Sequence, residues 1–91
     1  MAVILELPVV LARLAGGTRR VDAEGLTVGD VVADVAGRFP ELAPRLRDAD
    51  GRPYAFVTFY LNDEDIRFVG GFDAVVADGD EITIVPAIAG G

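Results

Sequence analysis

The chemistry this sequence can offer is concentrated in its last two residues, Gly90-Gly91. Glycine has no Cβ, so the pair presents little bulk and accepts almost any backbone angle. A terminal glycine carboxylate is also open to attack. The five residues after Pro86 can extend about 17 Å. That length can thread a narrow channel and deliver a carboxyl group to a site inside another protein. The same dipeptide is also compatible with an idle, frayed chain end.

The residues that are missing point the same way. The sequence contains no Ser, Cys, His, Lys, Gln or Trp, and all eight basic residues are Arg. Without Ser, Cys, His or Lys, nearly every side chain used as a nucleophile or near-neutral base is gone. An independent hydrolase or transferase is not expected. The lack of Cys removes disulfides and thiolate metal sites.

Fifteen acids against eight arginines give a net charge of −7. That sign disfavours nucleic acid and anionic membranes and favours a basic protein surface as partner. The charge is uneven: residues 62–81 hold seven acids and Arg67, net −6. Asp63, Glu64, Asp65, Asp78 and Asp80 could be read as Ca²⁺ ligands, but the EF-hand spacing is absent. No metal site is assigned. The apolar start, interrupted by Glu6 and Pro8, lacks a basic leader, and no run approaches membrane-spanning length. A soluble, cytoplasmic protein is expected.

The positioning elements follow from periodicity. At 91 residues, 52% of them hydrophobic, the chain is long enough for one domain with a single core. Alternation predicts a strand over Ala2–Leu7, and Gly16-Gly17 turns the chain toward a second over Thr18–Asp22. Val9–Leu14, between them, suits a short helical turn. Thr27 is an N-cap with Asp30 at capping-box spacing. Val28, Val31, Val32, Val35 and Phe39 recur at helical spacing until Pro40, predicting a helix at about 28–38. Glu41–Arg47 suits a further helical turn, and Asp48–Pro53 a loop. Ala55–Leu61 is the strongest strand. A polar turn at Asn62–Asp65 precedes a short returning strand at Ile66–Phe68. Glu81–Val85 is the last strand, ended by Pro86.

One helix among these strands predicts an α+β fold, and the order satisfies the β-grasp arrangement. We expect a mixed sheet of four to five strands with one main helix on one face. Residues 1–86 would form the domain and residues 87–91 a flexible Gly-Gly tail. In that fold Phe56, Tyr60 and Val85, with Thr58 and Thr83, would line the sheet face away from the helix, as a partner site or under a covering loop. Arg52, with Arg45 and Arg47, would lie nearer the tail, as surface charge or as contacts for an acidic partner.

The ending from Asp78-Gly79-Asp80 through Pro86 to Ala87-Ile88-Ala89-Gly90-Gly91 resembles the MoaD/ThiS family of ubiquitin-like sulfur carriers. Leu11–Gly16 and Thr27–Val31 are similar to its helix-entry segments. Tyr60–Phe68 with Gly70-Gly71 resembles a narrower branch, the CysO carriers of cysteine biosynthesis. The resemblance implies that Gly91 is adenylated by an E1-like, ATP-using enzyme and converted to a thiocarboxylate. Ala87, Ile88, Ala89 and Gly90 would be the thin tail that carries it. In the CysO-like branch the sulfur attacks an aminoacrylate derived from an activated serine in a PLP-dependent cysteine synthase, and a zinc metalloprotease releases the product. ATP, PLP and zinc would belong to these partners and not to this chain. Molybdopterin, thiamine thiazole or a thiolated secondary metabolite stays open as the acceptor. So does a β-grasp interaction module with no sulfur chemistry.

Overall fold

The structure, a computed structural model, describes residues 1–86. Five strands form one sheet in the order β2-β1-β5-β3-β4. They are β1 (Ala2–Glu6), β2 (Arg20–Glu24), β3 (Val57–Leu61), β4 (Glu64–Asp65) and β5 (Glu81–Pro86). The helices are α1 (Val9–Ala12), α2 (Val28–Arg38) and α3 (Ala43–Leu46). The hairpin β1–β2 is antiparallel, β1 and β5 are parallel neighbours with Leu5 beside Ile82, and β3 is antiparallel to β5. This is the expected β-grasp.

Strands β1, β2, β3 and β5 contribute residues from one face to one core. Val3, Leu5, Val21, Ala23, Phe59, Ile82 and Ile84 are buried, as are Val28, Val31, Val32 and Val35 of α2. Valine and glycine are weak helix formers. Burial of each Val or Leu contributes about 1.5–3 kcal/mol, so packing holds α2 where propensity does not. The α2 boundaries match the sequence expectation. The Asp30 N–H donates to Thr27 Oγ1 at 3.1 Å. The Asp30 carboxylate accepts from the Leu26 N–H at 3.3 Å, one residue before the usual capping-box partner. At the other end the Phe39 N–H donates to the Val35 carbonyl, and Pro40 follows.

Several boundaries differ from the periodicity. Gly16 and Gly17 both adopt left-handed φ, and β2 begins only at Arg20. Ala55 and Phe56 form a turn, so β3 starts at Val57. Ile66–Phe68 is a 3₁₀ turn and not a strand. Asn62 and Asp63 have φ of 49° and 72°, the geometry of a two-residue hairpin turn, so the return strand begins at Glu64. It ends at once, because the Asp65 carboxylate accepts from the Arg67 N–H at 2.9 Å and caps the turn. Buried Ile66 anchors that turn in the core. Pro86 is the last residue of β5 and not the first beyond it, opposite Val57. A proline lacking its N–H is tolerated at such a strand end.

Candidate functional site

Ala87, Ile88, Ala89, Gly90 and Gly91 lie outside the described residues. What the fold defines is their point of departure. β5 runs from the Asp78–Asp80 turn at one end of the sheet to Pro86 at the other, so the acidic turn and Pro86 are separated by the length of that strand.

Pro86 sits between two depressions. The larger, about 420 Å³, is lined by Val10, Leu14, Tyr54, Phe56 and Val57, with Arg13 and Arg45. The smaller, about 200 Å³, includes Arg19, Thr83 and Val85. Arg13, Arg19 and Arg45 are exposed, and among the described residues none is in an ion pair. Arg45 shares the larger depression with Pro86, the residue that precedes the tail in sequence. Arg13 and Arg19 were not singled out from the sequence; the only signal was their place in the insert and turn between β1 and β2.

Arg52 lines a different cleft of about 380 Å³, together with Asp48, Asp65, Arg67 and the β3 residues Val57–Phe59. The loop is drawn tight by the Asp48 carboxylate, which accepts from the Asp50 and Arg52 N–H groups at 2.9 and 3.0 Å. Arg47 lines a separate shallow depression beside Pro44 and Ala49.

The face opposite the core carries Thr58 and Tyr60 of β3 beside Val85 and Thr83 of β5. Val85 is 42% exposed and Tyr60 is half-buried. Farther across the sheet, Arg20 reaches Glu6 at 2.8 Å and Glu81 at 2.9 Å. The apolar strip thus ends in a charged flank. Phe56 is not part of this face. Strand alternation stops at Val57, and the exposed Phe56 ring stands edge-on to Tyr54, 5.5 Å away, beside the Pro86 groove.

Of the five acidic residues considered as cation ligands, Asp65, Asp78 and Asp80 are engaged by donors. Asp80 accepts from the Ala77 N–H at 2.7 Å and from Asn62 Nδ2 at 2.9 Å. The first of these, and then the second, holds its carboxyl below the ordinary range. Asp78 accepts from the Ala2 N–H. Asp65 is held low by hydrogen bonds from the Arg67 guanidinium and then from its N–H. Among the described residues no group of three or more His, Cys, Asp or Glu is placed to hold a metal ion, and no helix is long and apolar enough to cross a membrane.

A mixed sheet with parallel β1 and β5 and one long helix between β2 and β3 defines a ubiquitin-like β-grasp domain. The chain belongs to the ThiS family, which it matches over residues 5–91. It is 42% identical over 93 residues to the sulfur carrier protein CysO of Mycobacterium tuberculosis, covering 100% of both chains. The crystal structure of that organism's CysO, described as an antigen, superposes with a TM-score of 0.86 at 40% identity, over 94% of this chain and 99% of the other. A chain in the Amycolatopsis orientalis BexX/CysO complex gives a TM-score of 0.89 at 42% identity, over 99% and 100%.

Proposed function

We propose that this protein is a sulfur carrier whose Gly91 carboxylate is converted to a thiocarboxylate for cysteine biosynthesis. The observation that carries the reading is the full-length, 42% identity to a sulfur carrier protein. The placement of Pro86 on an exposed rim, five residues before Gly91, supports it.

The chemistry needs no catalytic side chain from the carrier. A carboxylate is a poor electrophile. One of its oxygens attacks the α-phosphorus of ATP in an E1-like adenylyltransferase, and pyrophosphate leaves. Sulfide then attacks the acyl carbon. AMP departs with the former carboxylate oxygen, leaving a thiocarboxylate. The product is nucleophilic at neutral pH and stays tethered, so free sulfide is not released. A PLP-dependent cysteine synthase would expel the leaving group of an activated serine, and the thiocarboxylate sulfur would add to the dehydrated acceptor. An S-to-N acyl shift would leave the cysteine in amide linkage to Gly91, and a zinc metalloprotease would hydrolyse that amide. ATP, PLP and zinc reside in those partners; the chain is their co-substrate and not a catalyst. The neighbour in complex with BexX supports a protein partner for domains of this shape.

The test is intact-protein mass spectrometry after incubation with ATP, sulfide and an E1-like enzyme of the same organism. The expected gain corresponds to one oxygen replaced by sulfur, and deletion of Gly91 abolishes it while circular dichroism stays unchanged. No gain, with an enzyme competent on another carrier, would leave a β-grasp interaction module. Offering activated serine, a molybdopterin precursor or a thiazole precursor to the thiocarboxylate then identifies the acceptor.

A further inference from the structure

We infer that the groove beside Pro86 is the docking surface for the adenylating enzyme, and that this enzyme meets it with an apolar protrusion flanked by acidic side chains. The inference rests on the carrier reading.

Distance makes contact unavoidable. From Pro86 the tail reaches about 17 Å at full extension. An enzyme that encloses Gly91 must therefore bring its surface onto the rim from which the tail departs.

The rim has the composition of a binding surface. Val10 is 55% and Phe56 65% exposed; Leu26, Phe68 and Val75 are exposed at least as far, but outside this groove, where the apolar side chains are contiguous. With Leu14 and Tyr54, Val10 and Phe56 form an apolar floor, and Arg13 and Arg45 stand at its edge. Aromatic residues and arginine are the types that dominate binding energy at interfaces.

Charge selects the partner. The protein carries −7 overall, yet the groove is lined by two arginines and no acid. Arg20, Arg38 and Arg67 are paired with carboxylates. Arg13 and Arg45 are not, among the described residues. A guanidinium is weakly hydrated and presents a planar fork that matches carboxylate geometry. The local field therefore favours an acidic counterpart, whereas the rest of the surface favours a basic one.

Steady-state thiocarboxylation of the full chain by the E1-like enzyme tests this. Arg13→Glu and Arg45→Glu should each raise KM for the carrier about threefold and together about tenfold or more, with kcat within about twofold, and Phe56→Ala should raise KM about threefold. The native KM should rise with NaCl, and the double variant's should not. Arg47→Glu, a charge change equal to either single reversal but outside the groove, should leave KM within about twofold. Circular dichroism confirms folding. Should charge reversal unfold the domain, Arg13→Gln and Arg45→Gln singly decide the question by a smaller KM rise or none. An unchanged KM in folded groove variants overturns the docking surface alone. A rise for Arg47→Glu as large as for each single reversal also overturns it, in favour of overall charge. If the native chain is not converted by an enzyme competent on another carrier, the carrier reading fails and this inference with it.

Discussion

Val57 and Pro86 face each other in the last rung of the ladder between β3 and β5. Among the described residues it closes the ladder, one position before residues 87–91. It also places Pro86 beside Phe56, Arg13 and Arg45. A loss of pairing here would move the departure point of the tail relative to the whole rim.

The open face gives the first prediction. Tyr60 is half-buried and pairs with Thr83 in register. Tyr60→Ala should weaken binding to a tail-processing partner about tenfold, as for an interface aromatic. Its thermal unfolding should stay cooperative, with a loss well below the 3–5 kcal/mol of a buried aromatic truncation. A full-sized stability loss would show that Tyr60 serves the core instead.

Two glycines should respond in opposite directions. A Cβ at Gly37, inside α2, meets nothing within 4 Å. Gly37→Ala should raise stability by about 0.5–1 kcal/mol through helix propensity and reduced unfolded-state entropy. A Cβ at Gly25 would lie 2.7 Å from Asp30 Cβ and 2.8 Å from the Val31 nitrogen. Gly25→Ala should cost about 1–3 kcal/mol. Urea midpoints of the two variants, one above and one below the native value, are the readout.

The cap of α2 is a separate test. Thr27 Oγ1 accepts the Asp30 N–H. Thr27→Ala should cost about 1 kcal/mol, and Thr27→Ser should restore most of it. At this chain length 1 kcal/mol corresponds to about 4–8 °C in thermal midpoint. Equal midpoints for Thr27→Ala and Thr27→Ser would show that the hydroxyl is idle.

Acid should weaken the fold in a definite direction. Asp65 and Asp80 have carboxyls held below their ordinary values by Arg67 and by Ala77 with Asn62, respectively. In the unfolded chain they take up protons near pH 4, at about 3.9. Their contribution is complete above that point and is lost as pH falls through the lowered native values, where the unfolded state binds more protons. The urea midpoint should therefore drop between about pH 6 and about pH 3. Asp80→Asn, which keeps an acceptor for the Ala77 N–H, should show a smaller drop. Identical drops would exclude Asp80 from the effect.

The sequence by itself determined the elements whose stabilising contacts are local or periodic. Thr27, the valine spacing and Pro40 define α2 to its ends, because capping and amphipathic periodicity act within a few residues. Alternation likewise identifies β1 and β5. Tertiary structure decided what depends on distant segments meeting. Asn62 reaches Asp80 across 18 positions. Ile66–Phe68 turns because buried Ile66 and the capping Asp65 outweigh its strand-forming residues. Phe56 leaves the open face because β3 pairs with β5 only from Val57. Arg13 and Arg45, 32 positions apart, flank one groove beside Pro86 only once β1, β3 and β5 are aligned. Such neighbours share no sequence period, and only folding brings them together.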